Sequence, residues 1–465
     1  MPPASPSAPA APPAAELTLV RAMGPVALAA GIVNVTVGGG IFRLPATVAA
    51  TLGAAAPLAY LACAAAMGLI VLCFAEAGSR VAMTGGPYAY VEVAFGPFVG
   101  FLSGVLLWLV GTFALAAVAT LLADALVGLA PGAAALGAGP GGAAARAAVL
   151  ALVLGGLAAV NAAGVRQGAR LNTAATVAKL VPLAVVVVAG LFLVRAEHLR
   201  VAAAPAPGAL ARSAVVLVFA FAGVESALVP SGEVRDPART VPRAVALAMA
   251  GVTGLYLALQ LVAQGVLGPA LASSPAPLAA VAERAFGAPG RGLLLTGAAV
   301  SMFGYVSGMT LAVPRALFAF ARDGLLPRAL ARVHPRHRTP HVAIWVQTAL
   351  VWALAASGTF ERLAVLANVS TLLLYAACCV AAWALWRRDV RPGGAAEAAP
   401  APAAPRAASR VPFHPAVPWL ALGVIALLLT GAKPEEWAVV LGVLAAAAAG
   451  YALTGRGRRP APAAA

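Results

Sequence analysis

Apolar stretches of membrane-spanning length recur along this chain, and two of them are broken in their middles by residues that a plain membrane helix has no use for. The first stretch carries Asn34, Thr36 and the triplet Gly38-Gly39-Gly40, followed by Ile41, Phe42, Arg43 and Pro45. The sixth runs Phe219-Ala220-Phe221-Ala222-Gly223-Val224-Glu225, with Pro230 beyond it. A break at membrane depth frees backbone N–H and C=O groups that lipid cannot satisfy, so it persists only where it packs against protein or lines a polar cavity. Interrupted helices at corresponding positions of two halves point to a substrate site near the bilayer midplane of a secondary transporter.

With 62% hydrophobic and 10% charged residues over 465 positions, the chain cannot clothe itself in a polar surface. Stretches of about 20 residues, enough to cross roughly 30 Å of hydrocarbon, fall near 24–50, 54–77, 97–129, 146–163, 171–194 and 213–232. A second set falls near 244–268, 292–320, 341–357, 363–386, 415–431 and 436–454. The pattern predicts an all-α polytopic membrane protein of about 12 transmembrane helices. An even number puts both termini on one side. With that side cytoplasmic, twenty Lys or Arg fall in cytoplasmic segments and eight outside, as the positive-inside rule requires. The net charge of +16 is then topology and contact with anionic lipid, not a nucleic-acid footprint. Two lysines against twenty-nine arginines, with abundant Ala and Pro, suggest a GC-rich genome and a bacterial plasma (inner) membrane.

Residues 1–16 read as a disordered cytoplasmic tail, 17–389 as a ten-helix core, 390–412 as a low-complexity cytoplasmic linker, 413–454 as helices 11 and 12, and 455–465 as a basic cytoplasmic tail. Cys63, Cys73, Cys378 and Cys379 lie inside apolar segments and suit packing, so no disulfide or metal is expected. The five histidines lie in loops or at segment ends with no zinc-like spacing. Gly137 to Gly142 matches a dinucleotide fingerprint formally but follows no strand, and no phosphate-cradling or nucleophile motif is present. The chain is read as no enzyme and as needing no cofactor.

Unwinding at Gly38–Gly40 leaves a half-helix starting near Ile41, whose free amides and positive dipole end suit a carboxylate. Unwinding near Ala222 to Val224 frees the carbonyls of Phe219, Ala220 and Ala222, which suit an ammonium group. A lone glycine triplet serves close helix packing equally well; the pairing with a second break favours a site. Glu225 is either a carboxylate at a cytoplasmic water boundary or a functional acid, the default for an intramembrane carboxylate.

Gly38-Gly39-Gly40-Ile41-Phe42 followed by Leu44-Pro45 resembles the first-helix signature of the amino acid–polyamine–organocation transporter superfamily. Ala75-Glu76 through Gly85-Gly86-Pro87-Tyr88 to Phe95-Gly96, Phe219 to Glu225 with Gly232-Glu233 through Pro242-Arg243, and Pro314-Arg315 through Ala321-Arg322-Asp323-Gly324 to Thr339-Pro340 are similar to later signatures, in order, between about Gly24 and Trp386. The resemblance implies a five-plus-five inverted repeat with broken helices 1 and 6, plus two C-terminal helices. It implies an amino acid whose α-carboxylate sits on the backbone of Gly38, Gly39 and Gly40 and whose α-amine sits on carbonyls of Thr36, Phe219 and Ala222, next to Gly223, with Phe219 as a gating aromatic. It places Lys179 where sodium-coupled relatives bind their ion, so that its protonation would couple transport to protons; a static structural cation is the other reading. Two departures stand out: Gly39 lacks the serine or alanine side chain frequent there, and Phe219 replaces the tryptophan common in carriers of cationic amino acids.

The sequence thus predicts a permease for neutral amino acids working by alternating access, with proton coupling (symport) or exchange (antiport). The alternatives are a polyamine or organic-cation carrier and a transporter-like amino acid sensor. Substrate, protons and membrane lipid are the expected partners. Asp124, Gln260, Gln264, Asn368, Ser370 and Thr371 either line the pathway or join helices; Arg43 either reaches outward and attracts anionic groups to the outer mouth or is a plain interfacial arginine, and Arg315 reads as an interfacial cation.

Overall fold

The computed structural model describes residues 24–81, 86–129, 140–163, 168–201, 203–227, 234, 237–322, 324–337, 339–390 and 415–453. The tail at 1–16, nearly all of the linker at 390–412 and the tail at 455–465 lie outside them. Among the described residues the structure is helical, with no β-strand.

The first broken stretch forms α1 (Pro25–Thr36), a 3-10 turn over Gly39–Phe42 and α2 (Leu44–Leu52). α1 ends because Val37 leaves helical geometry and Gly38 is extended, with φ −100° and ψ −164°. α2 restarts with Pro45 in its first turn, where a missing N–H costs nothing. Next come α3 (Ala56–Arg80), α4 (Pro87–Phe95), α5 (Pro97–Leu129), α6 (Pro140–Ala163) and α7 (Gly168–Leu191). The second broken stretch forms α8 (Pro207–Phe221) and the short α9 (Val224–Ala227). α10 (Pro237–Leu267), α11 (Pro277–Ala312), α12 (Pro314–Arg322), α13 (His341–Ser357) and α14 (Phe360–Arg387) complete the core. α15 (Val417–Leu429) and α16 (Pro434–Leu453) follow.

Among the described residues, seven helices are long and apolar enough to cross a membrane by length and composition, and four shorter apolar ones accompany them, α8 and part of α7 included. α14 packs along α5, α10 along α3 and α1, and α11 along α7. The sequence of α5 is apolar on every side and its spanning window is 83% buried, whereas that of α16 is 11% buried. α5 is therefore a central helix, while α15 and α16 lie against the outer faces of α3, α5 and α14. Small residues allow close approach at the middle of the bundle.

One buried ion cluster ties helix ends together. Arg80, at the end of α3, contacts Glu76 at 2.6 Å and Asp389 at 3.4 Å, and donates to the Val390 carbonyl at 3.2 Å. It joins the end of α3 to that of α14.

Candidate functional site

The two breaks meet. At Gly223 the backbone takes φ +128°, and a Cβ there would lie 3.1 Å from the backbone N and Cα of Thr36, so only glycine suits both the conformation and the contact. The Gly223 amide, which in a continuous helix would donate to the Phe219 carbonyl, donates instead to Glu225 Oε2 at 2.8 Å. That leaves the Phe219 carbonyl without its helical donor. The Tyr256 hydroxyl, from α10, sits 3.0 Å from the Thr36 carbonyl and 2.9 Å from that of Ala220, linking the two breaks. Thr36 O also accepts from the Gly38 amide at 2.8 Å.

On the other side of the gap, the 3-10 turn begins with Gly39 and Gly40. A turn of this kind leaves its first amides without acceptors inside it. A Cβ on Gly40 would meet Phe219 Cδ1 at 2.9 Å, and one on Gly39 would meet Met302 Cγ at 3.0 Å and Val118 Cγ1 at 3.2 Å. Gly38 is different, with nothing closer than 4.0 Å. Packing therefore disfavours a side chain at 40 and crowds one at 39.

Between the breaks lies a cavity with about 580 Å3 of space not filled by atoms, the open solvent at its mouth included. It is lined by Thr36, Gly38, Gly39, Gly40, Phe219, Ala222, Gly223 and Glu225, which are all of the sequence-predicted site residues except Lys179. Its walls are largely apolar, from Val110, Ala114, Val118, Met309 and Ala367. Glu225 is the one acidic or basic residue among the lining residues. It is 2% exposed, and Oε2 accepts from the Tyr375 hydroxyl at 2.6 Å as well as from Gly223. Phe219 stands edge-on to Phe360, ring centroids 5.5 Å apart, and covers Gly40.

Lys179 belongs to α7, but its side chain lies outside the described residues. Asn368 and Thr371 line the cavity, and Asn368 Nδ2 donates to the Val215 carbonyl at 2.9 Å. Ser370 instead donates to Leu366 within its own helix. Gln260 and Gln264 are buried but are not among the cavity lining. Asp124 and Arg43 line a second cavity. Sequence reasoning missed Tyr256, Tyr305 and Tyr375. A signal was available: each is a tyrosine inside an apolar stretch, and a buried phenol needs a partner for its hydroxyl.

The sequence model of the amino acid permease family matches residues 23–444. The methylthioribose transporter of Bacillus subtilis is 27% identical over 416 residues, 87% of each chain. The serine/threonine exchanger of the same organism is 28% identical over 410 residues, covering 84% of this chain and 86% of the relative. Its branched-chain amino acid permease is 25% identical over 417 residues, covering 88% and 87%. The chain belongs to the amino acid permease family of the amino acid–polyamine–organocation superfamily, and is a multi-pass secondary amino acid transporter.

Proposed function

We propose that the protein carries neutral amino acids across a bacterial plasma membrane by alternating access, holding the substrate as a zwitterion between its two broken helices. The observation that carries this reading is the single cavity that joins the unpartnered turn amides of Gly39 and Gly40 to the carbonyl-rich break at Phe219–Gly223. The α-carboxylate takes the amides of the glycine triplet. The α-ammonium takes the carbonyls of Thr36, Phe219 and Ala222; the Thr36 carbonyl also accepts from the Gly38 amide and shares the single Tyr256 hydroxyl proton with the Ala220 carbonyl. Each hydrogen bond to a charged group contributes roughly 1.5–3 kcal/mol, so several must converge to offset stripping a zwitterion of water.

The apolar wall supports an uncharged aliphatic or small side chain. The single acid among the lining residues disfavours a polyamine, whose second cation would have no counter-charge there. Phe219, edge-on to Phe360, serves as the outer gate, and Glu225 with Tyr375 closes the opposite end. A five-plus-five inverted repeat followed by two outer helices fits the order of elements, with α15 and α16 peripheral to the rocking core. The excess of basic residues in alternate loops supports cytoplasmic termini. Lys179 in α7, which packs on α11, is the proposed proton-coupling group.

The test is uptake of a pool of labelled amino acids into proteoliposomes, with and without an inward proton gradient and with and without internal amino acid. Gradient-dependent accumulation of a few neutral species, lost in Lys179→Ala, is the result expected for symport. Uptake that needs only internal amino acid makes the protein an exchanger and Lys179 a structural cation. Methylthioribose belongs in the assay as a competitor, given the relative that bears its name; its uptake in place of every amino acid would overturn the reading.

A further inference from the structure

A second cavity, about 1040 Å3 of space open to solvent, lies next to the first and is lined by Phe42, Arg43, Leu121, Asp124, Pro275 and Met302 among others. The two cavities meet at Gly39, which lines both. Beside Gly39 stand Met302, which lines the second cavity, and Val118, which lines the first: a Cβ on Gly39 would lie 3.0 Å from Met302 Cγ and 3.2 Å from Val118 Cγ1. Methionine is unbranched and moves between rotamers readily, so this is a boundary that side-chain motion can open.

The second cavity differs from the first in carrying both signs of full charge. The Arg43 guanidinium spends one N–H on the Pro275 carbonyl at 3.3 Å, and a guanidinium has five. Asp124 lies 3.1 Å from Arg146 Nε, with 57% of its side chain exposed. That contact is one of charge only, since Arg146 Nε has no hydrogen-bond partner. The other Arg146 contact runs from Nη2 to the Gly358 carbonyl at 3.3 Å. A fork of donors and a carboxylate with unfilled acceptor positions therefore face one open space. Their chemistry matches an α-carboxylate and an α-ammonium.

We propose that this vestibule is a second, outer binding site for the same zwitterionic amino acids, with the carboxylate on Arg43 and the ammonium on Asp124, and that substrate passes inward when Met302 moves off Gly39. The proposal rests on the reading of the inner cavity as an amino acid site. The outer site binds more weakly and is salt-sensitive, because its charges are wet and screened. The inner site, built of buried backbone groups, is insensitive to salt.

Equilibrium binding of tritiated L-leucine and L-serine to the purified full-length chain tests this. The expected isotherm has two phases, at least tenfold apart in affinity, approaching two ligands per chain. Asp124→Asn and Arg43→Gln each remove the weaker phase, Asp124→Glu restores it, and high salt erases it while the tighter phase persists. Gly40→Leu, at a residue that lines the inner cavity and not the outer one, does the reverse. One ligand per chain, with the wild type and Asp124→Asn superimposable, overturns the vestibule site and leaves the inner-site reading standing. Absence of saturable binding of either amino acid overturns both.

Discussion

The two broken helices solve the same problem in opposite ways. At the first break the freed donors have no side chain to receive them: the residues are glycines, and a Cβ would press on Phe219 at 40 and crowd Met302 and Val118 at 39. At the second break the protein supplies its own partners, with Glu225 taking the Gly223 amide and Tyr256 reaching the Ala220 and Thr36 carbonyls. The first turn thus relies little on side chains of the protein, whereas the second break is largely supplied by them. In the proposed binding mode, one end of the substrate supplies the partner that the first turn lacks, while the other end sits on a break that already has partners of its own.

The strongest way to break this comparison is Gly39→Leu. The added side chain meets Met302 and Val118 and covers the turn amides, so substrate affinity falls at least a hundredfold, equivalent to about 2.8 kcal/mol; unchanged affinity in an equilibrium binding assay would place the site elsewhere. Glu225→Ala comes next. It leaves the Tyr375 hydroxyl and the Gly223 amide buried without an acceptor, at about 1–3 kcal/mol each, and lowers the melting temperature in detergent. Glu225→Gln, whose amide oxygen can still accept from both, restores most of that stability while slowing transport, which separates the hydrogen bonds from the charge.

Tyr256→Phe has a smaller effect, about 1 kcal/mol of stability, with affinity for substrate retained, since the hydroxyl serves the protein's own carbonyls. Loss of binding with unchanged melting would instead make that hydroxyl a ligand group. Smallest in affinity is Phe219→Ala, which removes the ring over Gly40 and its edge contact with Phe360. Substrate release into an unlabelled bath, measured with labelled ligand, accelerates several-fold while equilibrium binding shifts little.

Much of this was legible in the sequence because membrane depth makes polarity expensive. Gly38–Gly40 and Gly223 stood out against apolar neighbours, and both breaks line one cavity. What could not be read was which polar residues face it. Asn368 and Ser370 are two positions apart on α14, yet one lines the cavity and the other bonds back to its own helix. Facing of that kind is set by how α14 packs on α5, which no local pattern reports. The tyrosines were overlooked for a related reason: their partners, Thr36 and Ala220 for Tyr256 and Glu225 for Tyr375, are far away in sequence.

The central claim is that the turn amides hold a carboxylate and the facing carbonyls hold an ammonium. Its most direct test is calorimetric binding of a transported amino acid alongside its decarboxylated amine and its deaminated acid, to the wild type and to Gly39→Leu. The account predicts that only the intact zwitterion binds the tight site, that each analogue loses at least tenfold in affinity, and that Gly39→Leu abolishes the tight phase. Equal affinity for the amine and the amino acid, or tight binding that survives in Gly39→Leu, would contradict it.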